Sequence, residues 1–127
     1  MVHNPVNWFE LYVQDLPRAK AFYETVLGIE LAPLPLPDGE QGLEMVGFPM
    51  DPEAPGSGGA LIHVPGVPSG GTGTMIYFSC QDCAVEEARV TNAGGSVERP
   101  KMAIGDYGFV SVIKDPDGNL VGLHSLQ

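Results

Sequence analysis

Apolar and polar residues alternate along Asn7–Val13, NWFELYV, and again along Thr74–Cys80, TMIYFSC. A period of two is that of a β-strand, whose successive side chains turn to opposite faces. Each run leads through Gln-Asp into helical spacing: QDLPRAKAFYETVLG from Gln14 to Gly28, and QDCAVEEARVTNAGG from Gln81 to Gly95. Leu16, Ala19, Phe22, Tyr23 and Val26 give the first helix an apolar stripe, and the second stripe is weaker. Asp15 and Asp82 are placed to accept from the free backbone N–H groups of a first turn. Pro17 is tolerated there because its missing donor would have had no partner. Gly28 and Gly95 are expected to end the helices in the left-handed conformation.

Three strand candidates follow each helix. They are Ile29 to Pro33, Leu43 to Phe48 and Ala60 to Val64, then Ser96 to Lys101, Gly108 to Lys114 and Leu120 to Leu126. PGVPSGGTG, from Pro65 to Gly73, reads as a linker of turn formers. Pro33–Gly39 and Asp51–Gly59 read as hairpin loops or irregular edges, and PDGN at Pro116–Asn119 as a tight hairpin turn. The fold class predicted is α+β. Two tandem βαβββ modules, residues 1–64 and 74–127, form one domain around a cupped mixed sheet.

One helix covers one face of a four-stranded sheet, so the alternation sorts side chains into covered and open sets. Phe9, Leu11 and Val13 belong under a helix, as do Ile76, Phe78 and Cys80. Trp8, Glu10 and Tyr12, with Met75, Tyr77 and Ser79, then line the open cup. In the last strand Leu120, Gly122 and His124 separate from Val121, Leu123 and Ser125. Aromatic bodies mixed with polar tips suit a small-molecule pocket, with Trp8 as the residue for ligand stacking.

Sixteen acids against six bases give a formal charge of −10, which excludes the basic face that nucleic acid or an anionic membrane requires. The opening MVHNPVNWFE has neither a basic nor an apolar signal region, and no apolar run is long enough to span a bilayer. With only two cysteines, the expectation is a reduced, cytoplasmic protein. Cys80 and Cys83 form a C-x-x-C pair, but no second pair completes a zinc site. They are expected to act as a small buried hydrophobe and a helix-start residue.

The repeated plan, LPRAKAFYETVLGIEL, the NAGG before the second run of strands, and KDPDGNLVGLH together resemble the vicinal oxygen chelate superfamily. That superfamily includes glyoxalase I, extradiol dioxygenases and bleomycin-resistance proteins. The resemblance spans nearly the whole chain and implies a homodimer. In metal-using members, four inward positions supply His, Gln or Glu. Carried over by position, they fall here on Trp8, on Met75, near Leu61 or Ile62, and on Gly122. None of these holds a hard or borderline divalent ion, so no metal and no cofactor are expected at the usual centre.

Glu10 and His124 lie two residues further along their strands on the same face. They are the candidate catalytic pair, and three roles stay open: a relocated divalent-metal site completed by His63 or a substrate, an acid–base pair, or a structural hydrogen bond. Trp8, Tyr12, Met75, Tyr77 and Gly122 are the expected ligand-binding residues. Three functions follow: a glyoxalase-like lyase or isomerase acting on a small metabolite, a protein sequestering an antibiotic of the bleomycin type, or an oligomeric structural partner.

Overall fold

The computed structural model describes residues 4, 6, 8–35, 42–71 and 74–127. The first module runs β1 (Trp8–Tyr12), α1 (Leu16–Leu27), β2 (Ala32–Pro33), β3 (Glu44–Gly47) and β4 (Gly58–His63). The second runs β5 (Tyr77–Ser79), α2 (Cys83–Arg89), β6 (Ser96–Ala103), a 3-10 turn (Gly105–Tyr107), β7 (Phe109–Lys114) and β8 (Leu120–Ser125). Each module forms one mixed sheet, in the orders β1-β4-β3-β2 and β5-β8-β7-β6. The two halves thus share one topology, with the first and last strand of each paired in parallel.

The helix signals act as expected at α1. Asp15 accepts from the Arg18 N–H, and Gly28 closes the helix at φ +67° with its N–H donating to the Glu24 carbonyl. All five stripe residues, Leu16, Ala19, Phe22, Tyr23 and Val26, are buried. At α2, Asp82 accepts from the Ala84 N–H, but regular helix stops at Arg89. The chain then leaves through a turn in which Gly94, at φ +103°, takes the left-handed conformation expected of Gly95. Gly95 has a different constraint. A Cβ there would sit 2.5 Å from the Lys114 carbonyl oxygen and 2.6 Å from the Phe22 ring, so it permits close approach between modules.

Strand lengths also differ from the pattern. β2 is two residues long and at a sheet edge, where Pro33 needs no ladder donor. β4 begins at Gly58, inside the stretch read as a loop. β5 begins only at Tyr77, so Met75 lies ahead of the ladder. Part of the predicted Pro33–Gly39 loop and the end of the linker, residues 36–39 and 72–73, lie outside the described residues.

The covered sets meet in one core. Leu11, Val13, Phe22, Tyr23, Val26 and Leu61 cluster with Cys83, Val90, Ile113, Val121 and Leu123 of the second module. Phe9, Phe48, Tyr23 and Phe78 bridge the seam, with ring centroids 5.3–5.8 Å apart. The Arg89 guanidinium of α2 donates to the Val26 carbonyl at the end of α1 (3.0 Å), where the unpaired carbonyls favour a cation.

The DPDGN turn ties the modules through polar groups. Asp115, almost fully buried, accepts from the Tyr23 hydroxyl (2.8 Å), the Asp117 and Asn119 N–H groups (2.9 Å each) and the Asn119 side-chain amide (3.0 Å). Asp117 accepts from the Gln14 N–H (2.8 Å) and the Arg18 guanidinium (2.6 Å). Asn119 donates to the Tyr12 carbonyl and accepts from the Gly70 N–H. Three side chains of one hairpin thereby hold β1, α1 and the segment between modules.

Burial, and then the Asp115 carboxylate, hold the Tyr23 phenol well above its ordinary value of 10.0. The folded protein keeps this proton when the unfolded chain loses it. Its contribution to stability is therefore complete below about pH 10 and is lost as pH rises toward the folded value. Tyr23→Phe is expected to lower the unfolding free energy by about 1.5 kcal/mol and to flatten the alkaline decline; Asp115→Ala should cost about 3 kcal/mol. Urea denaturation at pH 7 and pH 10.5 measures both.

Candidate functional site

The face turned away from the helices carries the mixed set. Trp8, Glu10 and Tyr12 project together: the Trp8 indole Nε1–H donates to Glu10 Oε2 (3.1 Å) and the Tyr12 hydroxyl to Glu10 Oε1 (3.2 Å). One acid is thus held between two aromatic tips. Partial burial, followed by the neighbouring carboxylate, raises the Tyr12 phenol above its ordinary value.

Two clefts border this strand. The larger, about 800 Å³, lies beside Trp8 under the loop that joins β3 to β4, with Val6, Pro49, Met50, Asp51 and Pro55 among its walls. The smaller, about 310 Å³, opens at the seam of the two sheets between Glu10, Tyr12, Ser69, Gly71, Ile76 and Leu120.

In the second sheet, Tyr77 lies opposite Gly122. A Cβ on Gly122 would overlap the Tyr77 ring, so the ring lies flat over the glycine and fills the space above it. The first sheet contains the same device on its covered side, where the Phe9 ring lies over Gly59. His124 follows on the open face. Its Nε2 is 2.7 Å from the Tyr107 carbonyl oxygen. A carbonyl only accepts, so Nε2 carries hydrogen and Nδ1 is left as the basic nitrogen.

The register places the four inward seats. Aligning Gln14 with Gln81 sets Trp8 on Met75 and Glu10 on Tyr77. Because Tyr77 pairs with Gly122 and Glu10 with Ala60, the fourth seat is Ala60 rather than Leu61 or Ile62. Leu61 points the other way, into the core. An indole, a thioether, a methyl group and a bare glycine do not fit a divalent ion that requires imidazole or carboxylate donors.

Glu10 and His124 do not bond to one another; each is held by other partners. His63, the proposed third ligand, has Nδ1 3.0 Å from the Val13 carbonyl oxygen, on the ladder parity of Leu61. Among the described residues no three His, Cys, Asp or Glu side chains cluster as a metal site. Both thiols are free: Cys83 is fully buried, while burial, and then Glu86, push the Cys80 thiol up to about 12, far from a reactive thiolate.

Sequence reasoning missed the cleft walls at Pro49–Pro55 and Ser69–Gly71, where no periodicity exists to read. It also missed Arg99, which pairs with Val112 in the row that continues to Gly122 and Tyr77. Irregular pairing on both sides of Arg99 breaks the alternation that would have placed it.

The family model described as Glyoxalase/Bleomycin resistance protein/Dioxygenase superfamily matches residues 6–123. The protein named "Putative glyoxylase CFP32", from Mycobacterium bovis and Mycobacterium tuberculosis, is 31% identical over 122 residues, 92% of this chain. This chain spans only 44% of that protein's length. Among solved structures, glyoxalase I from Zea mays superposes with a TM-score of 0.70 at 22% identity, covering 91% of this chain and 42% of the maize chain. TnmS3, an antibiotic binding protein from Streptomyces sp. CB03234, superposes with a TM-score of 0.65 at 26% identity, covering 98% of both chains.

The two close-approach glycines should respond differently to a methyl group. Gly95→Ala drives Cβ into a backbone carbonyl and a buried ring, and is expected to cost about 3 kcal/mol. At Gly122→Ala the nearest atoms belong to the Tyr77 side chain, which is 51% exposed and can swing outward. Its cost in urea unfolding should be well under half as large.

Proposed function

The chain belongs to the Glyoxalase/Bleomycin resistance protein/Dioxygenase superfamily, and on that premise we propose that it binds a small organic molecule on the open face without the divalent-metal centre of its metal-using relatives. The observation that carries this reading is the chemistry of the four seats: Trp8, Met75, Ala60 and Gly122 offer no imidazole or carboxylate donor, and the Tyr77 ring lies over the last. In place of an ion stand apolar surfaces. Trp8, 39% exposed, lines a cleft of a size that suits small ligands, and Tyr77 is 51% exposed.

Sequestration without turnover fits best. Glu10 is engaged on both oxygens by neighbouring rings, the Cys80 thiol is pushed up to about 12, and Cys83 is fully buried. The likeness to an antibiotic binding protein over 98% of both chains supports the same reading. Proton transfer of the lyase or isomerase type is the second reading, carried by the unengaged Nδ1 of His124. Two uncoupled thiols suit a reducing, cytoplasmic compartment.

Thermal-shift measurements test the reading. Ni, Zn, Mn and Fe(II), and equally a chelator, are expected to leave the melting temperature within about 1 °C, whereas an aromatic ligand at a hundredfold its Kd adds about 2.7 kcal/mol of stability. A saturable rise with any of these metals would overturn it. We also infer a homodimer, supported by the exposed rings of Trp8, Tyr77 and Tyr107 on one chain. Sedimentation equilibrium should give twice the mass of 13.5 kDa, and a monomer at micromolar concentration would reject it.

A further inference from the structure

We propose that the ligand of this face is an organic cation, an ammonium or amidinium group on an apolar body, with its charge at Glu10 and its body against Trp8. The proposal rests on the binding reading above and names the chemical class that such a site would select.

The carboxylate of Glu10 only accepts hydrogen bonds, and it receives one on each oxygen. Each oxygen has a further lone pair for a donor arriving from outside. The indole meets Glu10 through its N–H edge, is 39% exposed, and lines the larger cleft with Val6, Pro49, Met50 and Pro55. An acid flanked by two rings, one of them part of a cleft wall, suits a cation by charge and by the ring quadrupole together.

No lysine or arginine forms an ion pair with Glu10. Arg18, Lys20, Lys101 and Lys114 pair with Asp117, Glu24, Asp82 and Glu98 respectively. Arg89 is committed to the Val26 carbonyl, and Arg99 stands on β6, the edge strand of the other sheet. These six are all the lysines and arginines of the chain. Among the described residues neither cleft has a Lys, Arg or His on its walls, and each carries one acid, Asp51 in the larger and Glu10 in the smaller. An anion would therefore meet a carboxylate in either cleft, with no counter-charge among the described residues that line it. A neutral ligand would gain only contact with the rings.

Benzamidinium, benzamide and benzoate form a matched series with charges of +1, 0 and −1 on one ring. Trp8 is the chain's only tryptophan, so its fluorescence reports on the site directly. Benzamidinium is expected to bind at least tenfold tighter than benzamide, with benzoate weakest. Raising salt should weaken benzamidinium and leave benzamide unchanged. Glu10→Gln, which keeps the side-chain shape, should bring benzamidinium down to the level of benzamide; the salt series on the unaltered protein gives the same answer if that variant folds poorly. Equal binding of benzamide and benzamidinium, or a preference for benzoate, overturns the cationic class while leaving small-molecule binding intact. No response to any of the three overturns the proposal. If a broad thermal-shift screen of aromatic compounds is silent as well, the binding reading falls with it.

Discussion

The carboxylate of Asp115 is the point at which the two halves of this chain become one structure. Buried and without a basic side chain among its hydrogen-bond donors, it accepts from two backbone N–H groups, a phenol and a side-chain amide. A buried acid is costly unless its lone pairs are filled, and here the donors come from α1 of one module and the hairpin of the other. Folding of the first module therefore completes the solvation of a residue in the second. Asp117 and Asn119 extend the arrangement to Gln14, Arg18, Tyr12 and Gly70, so β1 is held at both its backbone and its following helix. One oxygen of Asp117 is buried with no partner among the described residues, a cost carried by the rest of the hairpin.

What this junction positions is the open face. The strand carrying Trp8, Glu10 and Tyr12 is fixed against the hairpin that leads into the strand carrying Gly122 and His124. At the four seats to which the resemblance points stand a methyl group, a bare glycine under a tyrosine ring, a thioether and an indole. The neighbouring acid, Glu10, accepts from two rings. The proposed ligand class follows from the carboxylate of Glu10, which no lysine or arginine pairs.

Several parts of this were legible in the chain. Asp15, Pro17 and Gly28 mark the ends of α1 through local chemistry that requires no partner, and the five-residue stripe lies in the core as its spacing predicts. The alternation in NWFELYV sorts Leu11 and Val13 from Glu10 and Tyr12 correctly because a strand has one period wherever it sits. The failures share a cause. Gly95 carries a signal for a left-handed turn, but its constraint is a ring and a carbonyl from distant segments. The fourth seat was placed at Leu61 or Ile62 because an irregular loop hides where β4 begins; only pairing with Glu10 identifies Ala60. Arg99 is concealed by irregular pairing, and Met75 lies just outside the ladder that would have fixed its direction.

By itself the sequence determined the α+β class, the duplicated βαβββ plan, both ends of α1, the start of α2 and the two faces of β1, since all of these follow from interactions between residues a few positions apart. The tertiary structure decided the partners of Asp115, the engagement of Glu10 by Trp8 and Tyr12, the tautomer of His124 and the turning of His63 away from the open face. Those depend on which strands become neighbours and in which register. Register is set by burial and by contacts across the whole chain, and no local pattern encodes it.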